Sequence, residues 1–368
     1  MGKRDCPKRG GSILLTTVVS FIVVLGVLVF FHEFGHFMVA KWAGVRVEEF
    51  AIGMGPKVVG TKHGETLYSI RAFPLGGFCK LTGEMPLDDE ADEEEKEIYR
   101  EAKANNNCFW QKSVWKRIAV VVMGPIMNFL LAALLFALIF SLYGQPVDTQ
   151  DGAVIGRVLP QQPAYEAGVE EGDKVLAVNG EDVESWQDLA TEINKHPNEE
   201  ITLQIERENE VLNLAVTPKL DKKSQRGLIG ITPIIEREKV GFFRGIWLGI
   251  QQTVMYIYAI AAGLWQMVTG QMAAQVSGPV AIAKMVGRAS KTGLLRVLEL
   301  AALISVNLGF MNLLPIPALD GGRLIFLGVE AVRGKAVDPE TEGQAHMVGF
   351  ILLILLILVI TFKDIFMS

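Results

Sequence analysis

The chain has 368 residues, 50% of them hydrophobic, and a mean hydropathy of +0.31. That is too apolar for an ordinary soluble domain, and the length leaves room for two or three structural units. A net charge of −6 excludes a global basic field for nucleic acid, and three cysteines (Cys6, Cys79, Cys108) with no C-x-x-C pair argue against a disulfide framework or a cysteine-held metal.

The first long apolar run, 13–40, follows Lys3, Arg4, Lys8 and Arg9. No small-residue cleavage site comes after it, so it reads as a retained membrane span rather than a signal peptide. Near its end stands Phe31-His32-Glu33-Phe34-Gly35-His36. Histidines four apart share one helix face and can reach one ion, and the Glu beside the first can take a proton from a water that the ion activates. Ionisable groups near bilayer depth are costly and usually face a polar interior or a metal. His32 and His36 are the only closely spaced histidines in the chain.

Residues 45–112 form a polar connection. Its first part, 45–81, carries β-type patches and two glycine turns, Gly53-Met54-Gly55-Pro56 and Pro74-Leu75-Gly76-Gly77. A small sheet there would offer an open edge to an extended peptide; an ordinary loop is the alternative. Residues 88–104 are strongly acidic and read as a solvated helix or a disordered insert. The second run, Val114–Tyr143, carries Gly124-Pro125 and Asn128, whose amide needs a partner that a neighbouring helix can supply.

Residues 148–220 are soluble in composition. Strands are expected at 152–159 and Lys174–Val178, a turn at Asn179-Gly180, a helix over Trp186–Lys195, and a hairpin of Ile201–Arg207 with 211–217. The run from Pro163-Ala164 through Ala167-Gly168-Val169 and Gly172-Asp173-Lys174-Val175 to Val178-Asn179-Gly180 resembles a PDZ domain, a module that takes peptides by strand addition.

Residues 241–270 are apolar but interrupted by Gln251, Gln252 and Gln266, and read as an interfacial or re-entrant helix. A basic linker (Lys284, Arg288, Lys291, Arg296) leads to a third run, 298–314, and a fourth lies at 347–362. After the third, Pro315 and Pro317 cannot continue a helix and unwind the chain before Asp320. Two histidines and a carboxylate leave a fourth zinc position open for water, so Asp320 is the expected third ligand; the alternative is the N-cap of a helix starting at Gly321. Asn307 and Asn312 are embedded amides. For Asn312, substrate or oxyanion contact and a plain interhelical bond are equally open; for Asn307, substrate contact is favoured.

H-E-F-G-H in a first span, G-P-x-x-N in a second, an inserted PDZ-like segment, Ser277-Gly278-Pro279-Val280-Ala281 and L-L-P-I-P-A-L-D-G-G ending at Gly322 together resemble the site-2 protease family, in its bacterial regulator-of-sigma branch with a single PDZ domain. The resemblance implies a polytopic α-helical membrane protein with four spans, a membrane-associated β-hairpin region and an extracytoplasmic PDZ domain. Its segments would be 1–44, 45–112, 113–144, 148–220, 221–292, 293–322 and 323–368. It implies Zn²⁺ held by His32, His36 and Asp320, with Glu33 as general base. Substrate contacts would fall on Asn307 and on the G-x-G motif Gly53-Met54-Gly55. The implied activity is intramembrane cleavage of single-pass substrates, such as anti-sigma factors and remnant signal peptides, in a bacterial cell membrane after an upstream protease has cut them outside. The family topology places the N-terminus outside, whereas the basic residues before the first span favour the cytoplasm; the family topology is taken here because the ligands then meet toward the cytoplasmic side. A rival from another class is a non-catalytic membrane adaptor with a structural metal, against which an intact Glu33 counts, since a structural site needs no base.

Overall fold

The computed structural model describes residues 9–85, 92–147, 152–221, 226–234, 236–272 and 278–366. The expectations placed on Lys3, Arg4, Lys8, residues 88–90 and Ser277 fall outside them. The chain divides into two compact units, Met1–Leu142 with Gly241–Ser368, and Tyr143–Val240.

The first unit opens with α1 (Arg9–Ala43), an unbroken apolar helix without proline. Gly44, at φ 75°, stops it. Gly44 N–H donates to Lys41 O and Val45 N–H to Ala40 O, the paired closure that a left-handed glycine permits. Next come β1 (Val47–His63) and β2 (Thr66–Leu81), which pair antiparallel from His63↔Thr66 outward. Both strands fold back on themselves near their glycine turns. Phe50 therefore stands opposite both Tyr68 and Cys79, and Ile52 opposite both Ile70 and Gly77. Residues 47–52 thus lie between 67–70 and 77–81. Arg71 clamps the middle by donating to both Glu49 carboxylate oxygens, at 2.8 and 2.7 Å. Among the described residues, no strand covers the far edge of 77–81.

The acidic stretch is partly a helix, α2 (Glu93–Ala104), with Asp92 as its N-cap and Glu93–Glu95 in the first turn, where the helix dipole favours negative charge. Lys80–Glu95 and Arg46–Glu101 ion pairs dock it on the sheet. A short 3₁₀ turn (Phe109–Gln111) leads to α3 (Val114–Tyr143). Its inward face is Val120, Val121, Gly124, Asn128 and Leu131; Leu130, Leu134, Leu138 and Leu142 form an exposed stripe four residues apart. Trp42 at the end of α1 and Trp115 at the start of α3 are exposed beside Lys41, Lys112 and Lys116, the make-up of a membrane-interface girdle.

The second unit contains β3 (Gln145–Val147), β4 (Ala153–Val158), α4 (Pro163–Glu166), β5 (Lys174–Val178), β6 (Glu181–Asp182), α5 (Trp186–Lys195), β7 (Ile201–Arg207), β8 (Glu210–Val216), β9 (Lys219–Asp221), β10 (Arg226–Leu228), β11 (Ile231–Pro233) and β12 (Glu236–Glu238). The main sheet runs β11-β4-β5-β7-β8, with β6 on β5; β9 pairs with β10 and β3 with β12. Asn179 and Gly180 take left-handed φ (52° and 86°), which the tight β5–β6 turn requires. Ser185 and Asp188 form a capping box on α5. Ile155, Leu189, Ile201, Leu203 and Ile205 are fully buried, each contributing about 1.5–3 kcal/mol. Buried Asp173 is held by Arg207, with N–H···O distances of 2.7 Å to both oxygens. A small antiparallel sheet with two short helices is the make-up expected of a PDZ domain.

The first unit resumes with α6 (Phe242–Val268), α7 (Pro279–Thr292), α8 (Leu294–Asn312), α9 (Asp320–Arg333) and α10 (Pro339–Phe366). Among the described residues, four helical stretches are long and apolar enough to cross a membrane: Leu15–Ala43, Val114–Tyr143, Leu294–Asn312 and Glu340–Phe366. Within the stretch at 241–270, Phe242–Val268 is one continuous helix. Its Gly245 and Gly249 meet Ala133, Ala137 and Ser141 of α3, a small-residue seam that brings two backbones close. The expected basic linker is instead a helix, α7, because Gly278-Pro279 starts one and the Asp364 carboxylate of α10 accepts the Ala281 N–H at its first turn (3.0 Å). On α8, Ser305 and Gly309 pack against Asn128 and Pro125 of α3, and Ser305 Oγ donates to Asn128 O at 2.7 Å.

Candidate metal centre

α1 presents His32 and His36 one turn apart, with Nε2 atoms 3.3 Å from each other and rings nearly perpendicular (84°). They lie about two turns before the Trp42 girdle. Asp320 arrives from the far end of the chain. The 313–319 turn carries it: Pro315 and Pro317 bar a helix, Ile316 N–H donates to Leu314 O, and Leu319 N–H to Ile316 O. Ala318 sits at φ 78°, unusual for a residue with a Cβ. Its N–H donates to His346 Nδ1 of α10 at 3.0 Å. Gly321 and Gly322 are required by contact: a Cβ on the first would strike the carbonyls of Leu313 and Leu314, on the second that of Ile316. The N-cap of α9 is Leu319, so Asp320 is not the cap; its carboxylate is turned to the imidazoles.

Asp320 Oδ2 lies 3.2 Å from His32 Nε2 and 3.6 Å from His36 Nε2. A tetrahedral zinc ion with bonds of about 2.0–2.1 Å holds its donors about 3.3 Å apart. The three separations therefore suit one small ion. Asp320 Oδ2 is also buried and accepts no well-formed hydrogen bond, which a ligand oxygen awaiting a cation would show. His32, His36 and Asp320 are the one such donor group among the described residues. The donor set fits zinc.

Behind the ligands, His36 Nδ1 donates to the Val120 carbonyl at 2.9 Å, and the Asn128 amide lies 3.1 Å from His32 Nδ1. Gly124 leaves room for this: a Cβ there would overlap the His36 ring. Nothing in the sequence marks the Val120 carbonyl, whereas Asn128 was visible as an amide in need of a partner.

Glu33 faces a cavity of about 880 Å³. Gly77, on the free edge of 77–81, lies against the Glu33 side chain. Val29, Leu308, Phe350 and Leu353 make one part of the cavity wall apolar; Glu84, Arg323 and His346 make another polar. Burial pushes the Cys79 thiol above its ordinary pKa, and the Glu33 charge adds to this. Arg323 forms ion pairs with Glu84 and Glu342.

Of the two amides on α8, Asn312 lines the cavity, and Asn307 is exposed and does not. Five residues turn a helix by about 140° beyond a full revolution, so the two cannot share a face. Gly53, Met54 and Gly55 are not on the cavity wall either. Gly53 and Gly55 take left-handed φ (89° and 82°) at the bend of β1, and Met54 stands opposite Phe73.

The profile of peptidase family M50 matches residues 20–356. "Zinc metalloprotease RasP" of Geobacillus kaustophilus is 38% identical, over 95% of this chain and 98% of that protein. "Regulator of sigma-W protease RasP" of Bacillus subtilis is 34% identical over 95% and 98%. Among solved structures, the PDZ domain of the SdrC-like protein Lmo2051 from Listeria monocytogenes aligns with 23% of this chain and 90% of its own, at 23% identity and a TM-score of 0.21. With the family matched over nearly its whole length, the chain belongs to peptidase family M50 and is a zinc metalloprotease.

Proposed function

We propose that this protease cuts single-pass membrane proteins within the bilayer of a bacterial cytoplasmic membrane, using Zn²⁺ held by His32, His36 and Asp320. The observation that carries the reading is the donor triangle of 3.2, 3.3 and 3.6 Å at one end of three apolar helices, with Glu33 beside it. Zinc, when bound, supplies Lewis acidity that eases ionisation of a water and polarises a peptide carbonyl. Glu33 takes a proton from the attacking water and delivers it to the leaving amine as the C–N bond breaks. Asn312 donates to the substrate backbone or to the developing oxyanion. The open edge of 77–81 receives the scissile segment as an added strand, which keeps it extended once its helix has unwound.

The substrates are anti-sigma factors, in keeping with the sigma-W regulator named among the relatives, and remnant signal peptides. They reach the site after an upstream protease has trimmed them. The second unit acts as an extracytoplasmic PDZ filter against untrimmed chains. The basic girdle of Lys41, Lys112 and Lys116 supports a cytoplasmic position for the metal end of the helices. The test is co-expression of a tagged single-span reporter with the wild-type protein or with Glu33→Gln. A fragment should form with wild type alone; the same fragment in equal yield from Glu33→Gln refutes the mechanism.

A further inference from the structure

The two imidazoles are backed by different groups, and the difference has a chemical consequence. His36 Nδ1 faces a carbonyl, which only accepts, so that nitrogen carries the proton and Nε2 presents its lone pair to Asp320 and the ion. His32 Nδ1 faces an amide, which can offer either end. With Asn128 Nδ2 toward it, at 3.1 Å, Nδ1 must accept. The ring proton then sits on Nε2, aimed at His36 and Asp320, and His32 is no ligand. In that orientation Asn128 Oδ1 is buried with no hydrogen-bond partner. Turning the amide over makes His32 a ligand: Oδ1 accepts from His32 Nδ1–H, and Nε2 is left bare.

We propose that Asn128 is a positioning residue that selects the metal-binding tautomer of His32. The inference rests on the reading of His32 as a ligand. Asn128 is fully buried, and its own backbone is held from α8 by the Ser305 hydroxyl at 2.7 Å, so three helices set where the amide oxygen stands. A neutral acceptor does this without adding another carboxylate to a pocket that already contains Glu33, Glu84 and Asp320.

The test uses the full-length protein in detergent, with zinc affinity measured by chelator competition and the visible spectrum of the Co²⁺-loaded form. Asn128→Leu removes the acceptor and should weaken zinc about 10–100-fold, as loss of a group that orients a ligand does. Asn128→Asp keeps an acceptor and no donor. It should bind zinc within a few-fold of wild type and retain the wild-type cobalt spectrum, a readout that packing alone would not preserve. Asn128→Asp losing zinc as severely as His32→Ala would overturn the proposal, because the amide would then be needed as a donor. So would Asn128→Leu binding as wild type does. Should Asn128→Leu fail to fold, the Asp variant decides alone. Zinc retained by His32→Ala would instead bring down the ligand reading itself.

Discussion

The turn that delivers Asp320 depends on a residue of the last helix. Ala318 holds a left-handed backbone that costs an L-residue about 1–2 kcal/mol, and its N–H is satisfied by His346 Nδ1 alone. Replacing His346 by Phe keeps a ring beside Phe326, whose centroid is 5.7 Å away, but removes the acceptor. An N–H left without a partner costs about 1–3 kcal/mol when fully buried, and this part-buried one falls toward the lower end. The strained turn therefore loses about that much support, and metal affinity should fall by roughly tenfold, since 1.4 kcal/mol is one decade. His346→Gln, whose side-chain oxygen can accept the same N–H, should recover part of the loss. Chelator competition on the purified full-length variants measures it. Zinc affinity of His346→Phe within twofold of wild type would show that the turn holds its shape without this bond, and the reasoning would fail.

Asp320→Ala should lose bound zinc together with cleavage, whereas Glu33→Gln should keep the metal and lose cleavage only; metal analysis of the two side by side checks the division, and equal zinc loss contradicts it. Cys79 should resist alkylation. Only the thiolate reacts, and a thiol pKa raised by burial and by the Glu33 charge leaves little thiolate at pH 8, with the rate rising only well above the ordinary cysteine range. Peptide mapping after iodoacetamide treatment reads this directly: prompt labelling of Cys79 in the native protein at pH 8 would contradict its assigned surroundings.

Much of the fold was legible because it is local. Uninterrupted apolar runs make helices whatever surrounds them, the glycine turns at 53–56 and 74–77 bend their strands where they stand, and Asn179-Gly180 needs only its own backbone freedom. The adjacency of His32 and His36 is likewise a property of one helix. The 284–296 stretch was not read as a helix, because its start depends on Asp364 from the chain's far end.

The meeting of Asp320 with the histidines was suggested by ligand chemistry, but its geometry comes from how α8 and α9 pack on α3, which no spacing encodes. The choice between Asn307 and Asn312 is a matter of helix phase against the cavity, visible only once α8 has neighbours. The Val120 carbonyl and the open edge of 77–81 are backbone groups. Every residue carries the same ones, so sequence is silent about which will matter. Sequence by itself determined the helices and the reactive side chains they carry. Tertiary structure alone decided which backbone and second-rank polar groups surround them, because those contacts join segments distant in the chain.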